Sequence, residues 1–206
     1  MRLDQTENRA LLRGSVGEAP LLSHRAHGIA FYRFPLCVPR LSGREDRLNI
    51  LVSSQLLESC PVSPGDSIEV TGEIRSFNNR NGEGSRLVIT LYARTLSYTE
   101  EPPCNEVHLA GALCKVPVLR RTPLGRDICD MLLAVNRKYR RADYLPCITW
   151  GTLALYCAQL QVGDAVLLNG RLQSRVYLKA AEDSTVEHTA FEISVMSLEL
   201  PGDEED

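Results

Sequence analysis

Residues 64–76 read PGDSIEVTGEIRS, and residues 162–174 read VGDAVLLNGRLQS. Each stretch carries Gly-Asp at its second and third positions, places a second Gly six positions after the Asp and ends on Ser. Recurrence of the whole pattern 98 residues later marks a duplicated unit.

The duplication extends outward from these stretches. Asn8 followed by ALLRG answers Asn105 followed by EVHLAG, and LCVPR at 36–40 answers LAVNR at 133–137, both at an offset of 97. His27-Gly28 lines up with Leu124-Gly125, and Asp46 with Asp143. The boundary is expected in TEEPPCN, 99–105, where Glu and Pro interrupt regular structure. This gives a divergent first domain over 1–101, a second over 102–200 and a short acidic tail over 201–206.

Both copies read as β-domains. In the second, VHLAGAL, ICDMLLAV, YLPCITW, DAVLLNGRLQS and TAFEISVMSLEL are apolar runs bounded by Gly, Pro or charge. GTLALYCAQLQVGD, between the third and fourth runs, has helical spacing, with Thr152 as its cap and Gly163 as its stop. SSQLLESCPVSPGD holds the same place in the first copy, with Ser53 or Ser54 as cap. Five strands with a short helix after the third is the plan of an OB-fold, a five-stranded Greek-key barrel. The expected fold class is therefore all-β, two such barrels in tandem, with a β-sandwich carrying inserted helices as the alternative.

Composition narrows function. Hydrophobic residues make up 44% of the 206, enough for packed cores. No apolar run approaches the ~20 residues of a membrane span, and the first residues lack the apolar core of a signal peptide. A cytoplasmic, nucleoid-associated location without a membrane partner is expected. The seven cysteines form no CxxC pair and the four histidines lack ligand spacing, so neither metal nor cofactor is expected. No nucleophile–base motif, P-loop or GxGxxG cradle is visible, and catalysis has no candidate residues.

The net charge of −3 conceals an uneven distribution. DEED closes the chain, whereas 115–141 holds eight Lys or Arg against two acids. Within 137–141, four cations surround Tyr139. Aromatic rings stack on exposed bases at about 1–3 kcal/mol each, and Arg or Lys alongside hold phosphates. On a strand over 143–150, Tyr144, Ile148 and Trp150 share one face and Leu145 and Cys147 the other. Tyr144 and Trp150 would then stand roughly 20 Å apart, a ring at each end of a track several nucleotides long. Pro146, which cannot donate to a ladder, is expected at an edge or bulge. Core packing is the competing reading of the rings, and simple solvation that of the charges.

From NEVHLAG (105–111) through LRRTPLG (119–125), LLAVNR (132–137), ADYLPCITW (142–150) and GRLQSRVY (170–177), the second copy resembles the bacterial single-stranded DNA-binding protein family. The first copy keeps the frame with fewer of the specific residues. The resemblance implies stacking rings at Tyr144 and Trp150, and a third at Tyr177. Arg120, Arg121, Arg137, Arg171 and Arg175 fall beside strands that would line the groove and are read as phosphate contacts, with Arg141, Lys115 and Lys179 as further candidates. In the first copy Arg47 stands for Tyr144 and Ser53 for Trp150, so the two rings are replaced. Phe77 and the cations Arg40, Arg47 and Arg75, with Arg44, Arg80 and Arg86, are the candidates left there.

The function the resemblance implies is binding and protection of single-stranded DNA, largely independent of sequence, in replication, recombination or repair. It also implies assemblies of four barrels, which this chain would reach as a homodimer. Members carry a long tail ending in an apolar tip that recruits replication partners. This chain ends in PGDEED, without such a tip, which leaves that recruitment open. A protein-interaction scaffold and a single-stranded RNA-binding protein are the alternatives.

Overall fold

A computed structural model describes residues 7–78, 87–138, 141–181 and 184–201, with side chains for all of these except 178–181 and 184–187. The first copy contains β1 (Asn8–Val16), β2 (Leu21–Ala26), β3 (Ile29–Pro39), β4 (Glu45–Ser53), α1 (Ser54–Ser59), β5 (Ser67–Asn78) and β6 (Leu87–Tyr98). The second contains β7 (Cys104–Leu113), β8 (Val118–Arg121), β9 (Asp127–Arg137), β10 (Arg141–Trp150), α2 (Thr152–Cys157), β11 (Ala165–Ala181) and β12 (Ser184–Glu199). Grouped by proximity, Arg9–Asn105 with Gln173–Phe191 form one compact unit. Glu106–Leu172 with Glu192–Asp206 and Met1–Asn8 form the other.

Each copy closes a five-stranded ring. In the first, β1 pairs with β3 and β5, β3 with β4, β4 in parallel with β6, and β6 with β5. In the second, β7 pairs with β9 and β11, β9 with β10, and β10 in parallel with β12, which neighbours β11. This is the OB-fold plan read from the sequence. A sixth short strand per copy, β2 or β8, pairs on the outside of β3 or β9 and had no sequence signal. Its side chains are almost all exposed, so no apolar period announces it.

The inward residues alternate as the pattern requires. Leu12, Leu36, Leu48, Ile50, Ile68, Ile74 and Leu91 are sealed in the first core. Val107, Leu133, Val135, Leu145, Val166, Leu172 and Ile193 are sealed in the second.

The repeated Gly-Asp-x5-Gly stretch has a mechanical reason. Gly65 and Gly163 take φ of +92° and +97°, which side chains with a Cβ resist. The following carboxylates close the turn: Asp66 accepts from the Ser63 amide at 2.7 Å, and Asp164 from the Gln161 amide at 2.8 Å. At the later glycines the backbones nearly touch. A Cβ on Gly170 would lie 2.5 Å from the Ser194 carbonyl oxygen, and one on Gly72 would overlap that of Tyr92.

Three local readings are corrected. Ser53 caps α1, accepting from the Leu56 amide at 3.3 Å, but Thr152 does not cap α2. Gly151, at φ +61°, occupies that cap without a side-chain bond, because the chain must turn sharply out of Trp150. The helix also ends at Cys157, well before Gly163, which belongs to the turn into β11. Pro146 sits in a strand flanked by β9 and β12, not at an edge. The missing donor is tolerated there because the β10–β12 pairing starts one residue later, at Cys147.

Candidate nucleic-acid interface

The outer face of the second barrel follows from register. Residues opposite each other in an antiparallel pair share a face. Across β10, β9 and β8, Trp150 stands opposite Ile128, which stands opposite Arg120. Ile148 stands opposite Asp130, which stands opposite Val118, and Pro146 opposite Leu132. Tyr144 stands opposite Ala134, itself opposite Ala112 of β7.

Size decides which of these side chains protrude. Around Tyr144 the neighbours in register are alanines, and the ring remains 50% exposed. Trp150 is 42% exposed, while Ile128 and Ile148 beside it are buried. Of the three residues assigned to this face, two are open rings and the third, Ile148, is filled in. Asp143, Leu145, Cys147 and Thr149 point into the core, as parity requires. The face thus has a ring at each end of β10, with buried isoleucines and the exposed Arg120–Asp130 pair beside them.

The cations fall into two groups. Arg120 donates from Nη2 to Asp130 at 3.1 Å on the same face, and its bond to that carboxylate raises the guanidinium pKa further. Arg121 reaches the Gly125 carbonyl at 3.0 Å and Asp127 at 3.4 Å, yet is largely exposed. Arg137 grips the buried Asp143 with both Nε, at 2.5 Å, and Nη2. That geometry gives Arg137 a structural task, while part of its guanidinium still faces solvent. Lys115, Lys138, Arg141 and Arg171 are exposed.

Tyr177 and Arg175 belong to the other compact unit. There the Tyr177 ring stacks on His188 at 5.6 Å, with the Arg175 guanidinium 5.7 Å from its centroid. Lys179 lies on β11, but its side chain is outside the described residues, as are Tyr139, Arg80 and Arg86.

In the first copy, Arg40 repeats the grip of Arg137. It holds the buried Asp46 through Nε at 2.7 Å and Nη2 at 2.5 Å. Ser174, in the same compact unit, completes the arrangement: its amide donates to Asp46 at 2.7 Å and its carbonyl accepts from Arg40 at 3.1 Å. Arg40 therefore has the same structural task, with its guanidinium likewise partly exposed. Arg47 pairs with Glu18 at 2.6 Å, Arg75 pairs with Glu73, and Phe77 is half exposed near the end of β5. Sequence reasoning missed a ring array here. His24 stacks on Phe31, Phe31 meets Tyr92, and the Arg94 guanidinium lies 4.9 Å from the Tyr92 centroid.

Among the described residues no group of His, Cys, Asp and Glu could hold a metal ion. Five cysteines are buried, and burial pushes the thiols of Cys37 and Cys129 up to about 11.

Residues 104–200 match the model of the single-strand binding protein family. Single-stranded DNA-binding protein B of Bacillus subtilis (strain 168) is 40% identical over 83 residues, 35% of this chain and 71% of that protein. The chain belongs to the single-strand binding protein family. Protein A of the same organism is 41% identical over 80 residues, again 35% of this chain but 46% of that protein. Protein B aside, the chain spans about half the length of such relatives. The crystal structure of the wild-type single-stranded DNA binding protein from Thermus aquaticus superposes with a TM-score of 0.76 at 23% identity, covering 97% of this chain and 95% of that one. The family match falls on the second copy, and the likeness of fold extends over the first.

Proposed function

We propose that this chain binds single-stranded DNA, largely without regard to sequence and without catalysis, and that the second barrel carries most of the affinity. The supporting observation is the half-exposed pair Tyr144 and Trp150 on one face of that barrel. Bases stack on such rings whatever their identity. Lys115, Arg121, Arg141 and Arg171 supply exposed positive charge, and Tyr177 under Arg175 offers a further stacking position. Arg120 contributes at the margin, through the side of its guanidinium not engaged by Asp130. Coating exposed strands in replication, recombination or repair, in the cytoplasm at the nucleoid, is the role this chemistry fits. No helix among the described residues is long and apolar enough to cross a membrane.

The division of labour follows the two copies, 1–101 and 102–200, and four barrels assemble as a homodimer. Light scattering at twice the chain mass tests the assembly; a monomer refutes it. Trp150 is the only tryptophan, so its fluorescence reports on the face directly. Titration with oligo(dT) at low salt is expected to quench it, and added salt to reverse the quench. A flat titration would favour an interaction scaffold, and an equal response to matched RNA would make the ligand any single strand.

A further inference from the structure

The ring that occupies the Trp150 position in the second copy has crossed to the neighbouring strand in the first. Trp150 ends β10 opposite Ile128 of β9. The corresponding residue of β4 is Ser53, and the residue opposite it on β3 is Phe31. One copy therefore pairs an indole with an aliphatic side chain, and the other pairs a hydroxymethyl group with a phenyl ring at the same crossing. The ring is relocated, not lost.

Relocation recruits neighbours. On β2, His24 stands opposite Phe31 and its imidazole stacks on the phenyl ring at 5.0 Å and 12°. On β6, Tyr92 stands opposite Leu51 of β4 and approaches Phe31 at 5.9 Å and 38°. The small Ser53 lies on the strand between them, so the two rings meet across it. Arg94 extends the row over Tyr92. Four side chains from three strands thus form a continuous row of flat groups on the outer face.

Burial along the row is graded. Phe31, at the centre, is 8% exposed, Tyr92 is partly exposed, and His24 is exposed. A core cluster would be sealed at its ends; this one opens at them. Cations lie beside it: Arg33 is exposed on the same face of β3 as Phe31, two residues on, whereas Arg25, next to His24 and opposite Ala30, belongs to the other face. Arg94 also donates to Glu73 at 2.9 Å, so the phosphate-directed charge rests mainly with Arg33. Flat faces beside guanidinium groups are the combination that holds an unpaired strand.

We propose that His24 and Tyr92, supported by Phe31 between them, form a second base-stacking site for single-stranded DNA on the first barrel, separate from Trp150 and Tyr144. The proposal rests on the single-strand reading above. The site takes bases on the imidazole and phenol faces, with Arg33 on the phosphates.

The unaltered full chain, bound to an oligo(dT) carrying 5-iododeoxyuridine, is irradiated, and the adducts are mapped by mass spectrometry. Adducts at His24 or Tyr92 as well as at Trp150 or Tyr144 are expected. Adducts at Trp150 or Tyr144 alone overturn this site and leave the function standing. None at any of the four overturns both, and adducts at His24 or Tyr92 alone support this site and refute the other. As a second readout, a chain carrying W150A and Y144A retains weaker binding, which H24A with Y92L lowers about tenfold or more. Unchanged residual affinity in the quadruple variant, with a circular-dichroism melt matching the double variant, refutes the proposal.

Discussion

Arg137 and Asp143 face each other across the open end of the β9–β10 pair, and Arg40 and Asp46 do the same across β3 and β4. In each pair the carboxylate is buried and the guanidinium is partly open to water. A buried carboxylate is tolerated only with charge-assisted partners, and the two-pronged guanidinium supplies them. The pair fastens the strand ends on which Tyr144, or Arg47, is mounted.

Arg137→Ala removes the guanidinium and leaves the carboxylate in the core. Stability is expected to fall by about 3 kcal/mol, read as a lower urea midpoint with an unchanged slope. Arg137→Lys recovers only part, since an ammonium cannot make both bonds. A variant that keeps its midpoint but binds DNA less tightly would show that Arg137 serves phosphate instead.

Trp150→Ala and Tyr144→Ala act differently. Both rings are about half exposed, so the melting temperature moves little. Each substitution is expected to weaken oligo(dT) binding by about 1–3 kcal/mol in fluorescence anisotropy. Affinity that survives both changes unaltered would remove this face from the interface.

The contrast between Arg137 and Trp150 shows what a sequence reveals. The two faces of β10 were legible as sets because residues two apart in a strand share a face, but polarity did not say which set was inward: Asp143 and Thr149 are buried and Trp150 is exposed. The duplication was legible because Gly65, Asp66 and Gly72 answer a backbone demand repeated at Gly163, Asp164 and Gly170. Arg137 was read by its charge, and charge does not name a partner. The six-residue spacing to Asp143, repeated between Arg40 and Asp46, was the available signal. The row from His24 through Phe31 to Tyr92 was hidden more deeply. It depends on the parallel contact of β4 with β6, which no local pattern encodes.

Exposed cations should appear in the salt dependence. Arg141, Arg171 and Lys115 are exposed on the second copy. Changing any one to Gln is expected to make the slope of log K against log[salt] shallower by about 0.7 if that residue holds one phosphate. Arg137→Gln should leave the slope near its original value. Titrations between low and moderate salt separate the two kinds of arginine.

Buried thiols set an alkaline limit. Desolvation is the main cause raising Cys37 and Cys129 to about 11, against an unfolded value near 9. The unfolded chain releases these protons first, so it binds fewer of them between the two values. Stability is then fully present below about pH 9 and falls as pH rises toward about 11. Urea midpoints measured across this range should decline, and C37A with C129A should flatten the decline. A decline that persists unchanged in that variant would assign it to other groups.

Gly170 and Gly72 test whether close strand approach is what the repeated stretch protects. A methyl group on Gly170 meets the Ser194 carbonyl oxygen at 2.5 Å and the Ile193 side chain at 3.0 Å, and neither backbone can retreat without opening the barrel. G170A is expected to cost about 2 kcal/mol, and G72A, which overlaps the Tyr92 carbonyl oxygen, at least as much. Gly163 provides the control. Its Cβ would meet nothing within 4 Å, so G163A suffers only from its φ of +97°, about 1 kcal/mol. Urea denaturation should show G72A and G170A losing more stability than G163A. If G163A proved the most damaging, the turn and not the strand contact would be what the repeat preserves.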